Sequence, residues 1–120
     1  MRFIQSAAIA AALIVLMPRF IYPEQIKSTL PVIMIHARRY EFKPASITLK
    51  QGKQVKLIFI SDDVTHSLTV DGLGLEVRIK KNHSSHVILT PSKVGDFLGE
   101  CSIYCGAGHD RMKLAIHVKK

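Results

Sequence analysis

From Val32 onward the chain is a succession of short apolar runs: "VIMIHARRYEF", "SITL", "KQVKLIFI", "HSLTV", "LEVRIK", "SSHVILT", "DFLGE" and "KLAIHV". Between them sit Pro44, Gly52, Asp62 with Asp63, Asp71 with Gly72, Asn82, Pro91, and Gly95 with Asp96. These residues supply what turns require: a positive φ, a preset φ, or a side chain that bonds its own backbone. Some runs alternate apolar with polar, as in Gln54, Val55, Lys56, Leu57, which sends one set of side chains inward and the other to solvent. About seven or eight strands at near-regular spacing predict an all-β, antiparallel sandwich with one buried face per sheet. Met34, inside the apolar run Val32 to Ile35, reads as core packing. Nothing repeats internally, and no segment is of low complexity.

The start of the chain has a different pattern. "FIQSAAIAAALIVLM" (Phe3 to Met17) is apolar apart from Gln5 and Ser6 and follows Arg2, which fits a signal peptide or a membrane helix. No small-x-small cleavage site follows it. The next residues, Pro18, Arg19, Phe20, Ile21 and Tyr22, resemble an interfacial anchor, so the expectation is one retained transmembrane helix. The run is short against the usual span of about 20 residues, so Phe20 to Tyr22 reach the interface or a partner shields the ends. Residues 1–22 are thus expected to be a membrane anchor or uncleaved signal, 23–31 ("PEQIKSTLP") a linker, and 32–120 one exported domain. A chain of 120 residues has no room for a second.

Charge narrows the partners. The net charge is +8, and with Arg2 and Arg19 set aside the remainder keeps a balance of +6. Its basic residues are scattered among the strand-like runs and are not interleaved with aromatics, which argues against nucleic acid. A solvated basic surface near anionic lipid, or facing an acidic protein, accounts for them.

The stretch "ECSIYCGAGHDRM" (residues 100–112) holds both cysteines of the chain, His109 and Met112. In an exported domain two cysteines permit a disulfide. Such a bridge would close a very small loop, constraining the unfolded chain little, and leaves His109 and Met112 unexplained. A metal explains all four. Thiolate, imidazole and thioether form a soft donor set suited to copper, and a loop between two strands can aim them at one point. A mononuclear blue site uses one cysteine, two histidines and a methionine, so a second cysteine offers a second bridging thiolate and room for two metals. Two metals need a second histidine. His66 in "SDDVTHSLTV" is the candidate, because it opens a strand after an acidic turn.

"DVTHSLTV", followed some thirty residues later by C-x-x-x-C-G-x-G-H-x-x-M, resembles the binuclear copper (CuA) domain of cytochrome c oxidase subunit II. The likeness runs from about His36 to the C-terminus. It implies a cupredoxin-like Greek-key β-sandwich holding two copper ions, with Cys101 and Cys105 bridging them and His66 and His109 binding one each. Met112 would be a weak ligand, and the Ile103 backbone carbonyl would supply the last contact. The implied role is electron entry into a haem-copper terminal oxidase, with no bond chemistry by this chain alone. The implied partners are the catalytic oxidase subunit, an electron-donor protein (cytochrome c or cupredoxin-like) and the cell membrane, with a single pass and the copper domain on the periplasmic or extracellular side.

The sequence departs from that pattern in three ways. The family's Glu between the cysteines is Ile103 here, tryptophan is absent, and "RRYEF" (Arg38 to Phe42) stands where the family has an aromatic-rich docking segment. A basic surface fits poorly with a basic donor. Room for one membrane helix resembles the short subunit II of B-family oxidases. Other readings of the motif are a stand-alone periplasmic cupredoxin for copper delivery or electron transfer to another reductase, and a structural sandwich with a plain disulfide. His36 and His117 lie in strand-like runs, and His83 and His86 flank the turn "KNHSSH" and read as solvated residues, not a second metal site.

Overall fold

The computed structural model describes residues 10–21 and 29–120. Within them nine strands follow in order: β1 Val32–Arg38, β2 Glu41–Lys43, β3 Ser46–Lys50, β4 Val55–Ser61, β5 His66–Val70, β6 Leu75–Ile79, β7 Ser84–Leu89, β8 Gly95–Glu100 and β9 Lys113–Lys119. They form two sheets, ordered β2-β1-β4-β7 and β3-β9-β8-β5-β6. Each strand of the pattern reading is present, and the first run divides into β1 and β2 around a turn at residues 39–40.

The expected antiparallel pairing holds for most of the molecule and fails at two places. β1 pairs with β4 in parallel, Val32 opposite Lys56 through Ala37 opposite Ser61, and β3 pairs with β9 in parallel. The chain leaves the first sheet after β2, runs through β3 in the second, and returns as β4, so β4 can lie alongside β1 in the same direction. Period-two alternation is indifferent to strand direction, so the pattern carried no sign of this.

Alternation does set the core. Ile35, Ala37, Leu57 and Phe59 from the first sheet meet Leu68, Ile79, Leu114 and Ile116 from the second, all with no solvent exposure. Each large side chain buried this way contributes about 1.5–3 kcal/mol of hydrophobic stabilisation. Met34 corrects the sequence reading, because it lies on the outer face of β1 and is 49% exposed. Its neighbours Ile33 and Ile35 turn inward, and an unbroken apolar run gives no phase from which to tell them apart.

Residues 10–21 have no regular secondary structure and are exposed, and the expected membrane helix otherwise falls on residues outside those described. Among the described residues no helix is long and apolar enough to cross a membrane. The linker expected at 23–31 also lies mostly outside them.

The strands place one end of the sandwich for chemistry. β5 begins there with His66, β8 ends there at Glu100, and the loop of residues 101–112 returns to β9 across the same end. Arg39, just past β1, reaches that loop too.

Candidate metal centre

The loop is pinched at its neck. The Cys101 N–H donates to the Met112 carbonyl (3.3 Å), so the first cysteine and the methionine face each other across the base of the loop. A single 3-10 turn, His109–Arg111, brings the chain back to that pairing. Inside it the two thiols lie 3.5 Å apart, both free and both 6% exposed. The Cys101 thiol also donates to the Ile103 carbonyl (3.4 Å), which therefore faces the sulfurs.

One ligand atom each from His66, Cys101 and Cys105 lies within 4.8 Å of the others, and all three residues are buried. His109 and Met112 belong to the same loop. Met112 is fully buried, whereas His109 is half-buried, stands outside that tight group of three, and packs its ring edge-on to Tyr104 (centroids 5.2 Å apart).

Asp63 fixes the His66 ring. The His66 Nε2 bonds Asp63 Oδ1 at 2.6 Å, and the same oxygen accepts the Val64 N–H (2.6 Å). A ring that donates from Nε2 keeps a lone pair on Nδ1. That Nδ1 is buried without a hydrogen-bond partner, and so is the Nδ1 of His109. An orphaned buried polar atom costs about 1–3 kcal/mol, and a metal ion would relieve it. These two nitrogens, the two free thiols and the buried Met112 thioether make up a donor set that fits copper.

Electrostatics agree with that fit. Burial works to raise the Asp63 carboxyl, but the Arg39 amide, the His66 ring and the Val64 amide outweigh it and hold the group below its ordinary value. Burial, and then the Cys101 thiol and the Asp63 carboxylate, push the Cys105 thiol up to about 11. A thiol in that setting stays protonated until a cation takes the proton's place.

Three residues outside the expected ligand set shape the site. The Arg39 amide donates to Asp63 Oδ2 (2.7 Å) and its Nε donates to the Cys105 carbonyl (3.0 Å), tying the acidic turn to the cysteine loop. Tyr40 lies so close to Gly106 and Gly108 that a Cβ on either would run into its ring. Gly106 has φ +140°, a second reason for glycine there. Ser67, buried beneath the loop, accepts amide protons from it. Asp63 was legible as part of the Asp-Val-x-His pattern; Arg39, Tyr40 and Ser67 carried no local signal. The remaining histidines lie outside this site. His36 bonds Asp62 (2.7 Å), His117 bonds Asp96 (2.5 Å), His86 bonds Ser84 (3.0 Å), and His83 is exposed.

Comparison with known proteins covers the stretch that holds these residues. The family model for the periplasmic domain of cytochrome c oxidase subunit II matches residues 29–119. Cytochrome c oxidase subunit 2 of Thermus thermophilus is 30% identical over 88 residues, covering 73% of this chain and 65% of the relative. Against two other subunit 2 relatives the chain spans 31% and 23% of their length. A chain in the cryo-EM structure of a heme-copper terminal oxidase dimer superposes with a TM-score of 0.67 at 26% identity, covering 82% of this chain and 74% of that one. The periplasmic domain of subunit II from Bradyrhizobium japonicum gives a TM-score of 0.68 at 17% identity, over 75% and 84% of the two chains, which speaks for the fold alone. The sandwich is thus that of a cupredoxin-like, CuA-type domain, and the chain belongs to the cytochrome c oxidase subunit II family.

Proposed function

We propose that this chain is a membrane-anchored electron-transfer subunit that feeds electrons into a haem-copper terminal oxidase. Residues 1–22 act as the single-pass anchor, 23–31 as the linker, and 32–120 as the metal domain on the periplasmic or extracellular side. The apolar run Phe3–Met17 supports the anchor, since a backbone in lipid must satisfy its own polar groups and a helix does so.

The observation that carries the reading is the convergence of His66, Cys101 and Cys105 within 4.8 Å, with buried, unpartnered imidazole nitrogens on both His66 and His109. Cys101 and Cys105 would bridge two copper ions, His66 and His109 would each hold one through Nδ1, and Met112 and the Ile103 carbonyl would complete the set. Two coppers held in this way supply a one-electron couple shared across both metals. The chain's own residues keep water out and the donors still. Met112 is fully buried and both cysteines nearly so; Asp63 sets the His66 tautomer; Arg39 fixes the Cys105 peptide. Donors held this firmly leave little to rearrange when charge changes, which favours fast electron transfer.

The catalytic oxidase subunit is the acceptor, and the donor is a cytochrome c or cupredoxin-like protein. The +6 balance and the absence of a carboxylate at Ile103 favour a neutral or acidic donor surface. The test is copper content of the full chain, purified in detergent, reduced and then loaded. Two coppers per chain, with no free thiols left to titrate, are expected. One copper, or a Cys101–Cys105 disulfide that resists reduction, would contradict the reading.

A further inference from the structure

The β5–β8 ladder ends abruptly. Thr69 pairs with Glu100, and one residue further toward the metal end β8 gives way to the cysteine loop. Consecutive amides of a strand point to opposite sides, so a continuing β8 would have paired those of Ser102 and Ile103 with its two neighbours, β5 and β9; in the loop both need other partners. A single side chain takes both. Ser67 Oγ accepts the Ser102 N–H (2.9 Å) and the Ile103 N–H (3.1 Å). The residue is 5% exposed.

The hydrogen-bond inventory then fixes the direction of the network. A hydroxyl has two lone pairs and one proton. With both lone pairs given to amides, the Ser67 proton goes to Ser102 Oγ, 2.6 Å away, which also receives the Thr69 hydroxyl proton at 2.9 Å. The outward face of β5 thus grips the backbone between the first cysteine and the Ile103 carbonyl, while its inward face presents His66.

We propose that Ser67 is a positioning residue for the metal loop. Its hydroxyl clamps the Ser102 and Ile103 amides, and so holds the Ile103 carbonyl and the Cys101 thiol in the arrangement the metal takes up. The inference rests on the copper reading of the site. It adds that β5 contributes one ligand, His66, and, at the next position, the anchor that sets the geometry of the opposing loop.

The experiment compares wild type, Ser67→Ala, Ser67→Thr and Ser102→Ala in the full chain, first without metal and then after copper loading. In the metal-free chain, Ser67→Ala is expected to speed amide exchange in the peptide spanning Ser102 and Ile103 roughly tenfold or more, leaving β9 exchange within about twofold of wild type. Ser67→Thr, which keeps the hydroxyl, restores protection. Ser102→Ala leaves both amide bonds to Ser67 intact and has the smaller effect. After loading, Ser67→Ala shifts the thiolate-to-copper absorption bands and Ser67→Thr returns them toward wild type.

Wild-type exchange at Ser102 and Ile103 in Ser67→Ala would overturn the proposal. So would faster exchange spread evenly over both sheets with an unshifted copper spectrum, since that pattern belongs to general loosening. If Ser67→Ala does not fold, Ser102→Ala decides: loss of protection at Ile103 in that variant would show that Ser67 is not the clamp. Failure of the wild-type chain to bind copper would count against the copper reading, and the metal-free exchange would still judge the clamp.

Discussion

The two ends of the interior obey opposite rules. Between the sheets, Leu57, Phe59, Leu114 and Ile116 fill space with groups that want nothing from their neighbours except contact. At the end capped by residues 101–112, burial falls on two thiols and on two imidazole nitrogens that have no partner. A core built only for stability would not carry that cost. The difference teaches where to look for function: the buried groups left unsatisfied by the fold mark the place completed by something from outside.

Breaking the first region should have the largest effect. Phe59→Ala opens a cavity between the sheets and is expected to lower stability by about 3–5 kcal/mol, read as a shifted denaturant midpoint with an unchanged slope. The loop rests on those sheets, so copper uptake should fail along with the fold. Retention of the copper spectrum in a chain destabilised by that much would show the loop to be independent of the core.

Breaking the second region should leave the first standing. Cys105→Ser removes one proposed bridge and one buried thiol of nearly the same shape. Unfolding should move little, while the electronic signature of two coupled coppers disappears, because one thiolate cannot hold both. A large loss of stability without metal would mean that the thiol serves mainly as packing.

Met112→Leu sharpens the boundary between the regions, since this residue is both fully buried core and proposed weak ligand. A swap of similar volume costs less than about 1.5 kcal/mol in stability. Both coppers should remain, and the reduction potential should shift. Loss of copper equal to that in Cys105→Ser would assign Met112 a bridging ligand's weight.

How much of this was legible in the sequence depended on how far apart the interacting residues lie. Strand positions were readable because alternation is local, and the proposed ligands because five of the six fall within twelve residues, with His66 at a strand start. Direction was not readable, since alternation is the same for the parallel β1–β4 pair as for an antiparallel one. Met34 was misread because an unbroken apolar run has no phase. The residues that brace the loop were invisible for a different reason. Arg39 meets the Cys105 carbonyl across 66 positions and Ser67 meets the Ile103 amide across 36, and neither residue type announces such a contact.

The smallest expected effect is at Ile103. Its backbone carbonyl is the group that meets the Cys101 thiol, and a side-chain change keeps that carbonyl, so Ile103→Glu should leave copper content unchanged. The new charge acts on encounter: electron uptake from the native donor should slow at low salt and recover as salt screens it, because charges at a rim act mainly on association rates. Faster uptake at low salt would show the donor surface to be basic.

The central claim is that the unsatisfied end of the interior holds two coppers as one unit. Electron paramagnetic resonance of the copper-loaded, mixed-valence full chain tests it most directly. The account predicts hyperfine coupling of one unpaired electron to two equivalent copper nuclei, carried by the thiolate pair of Cys101 and Cys105. A spectrum showing coupling to a single nucleus would contradict it.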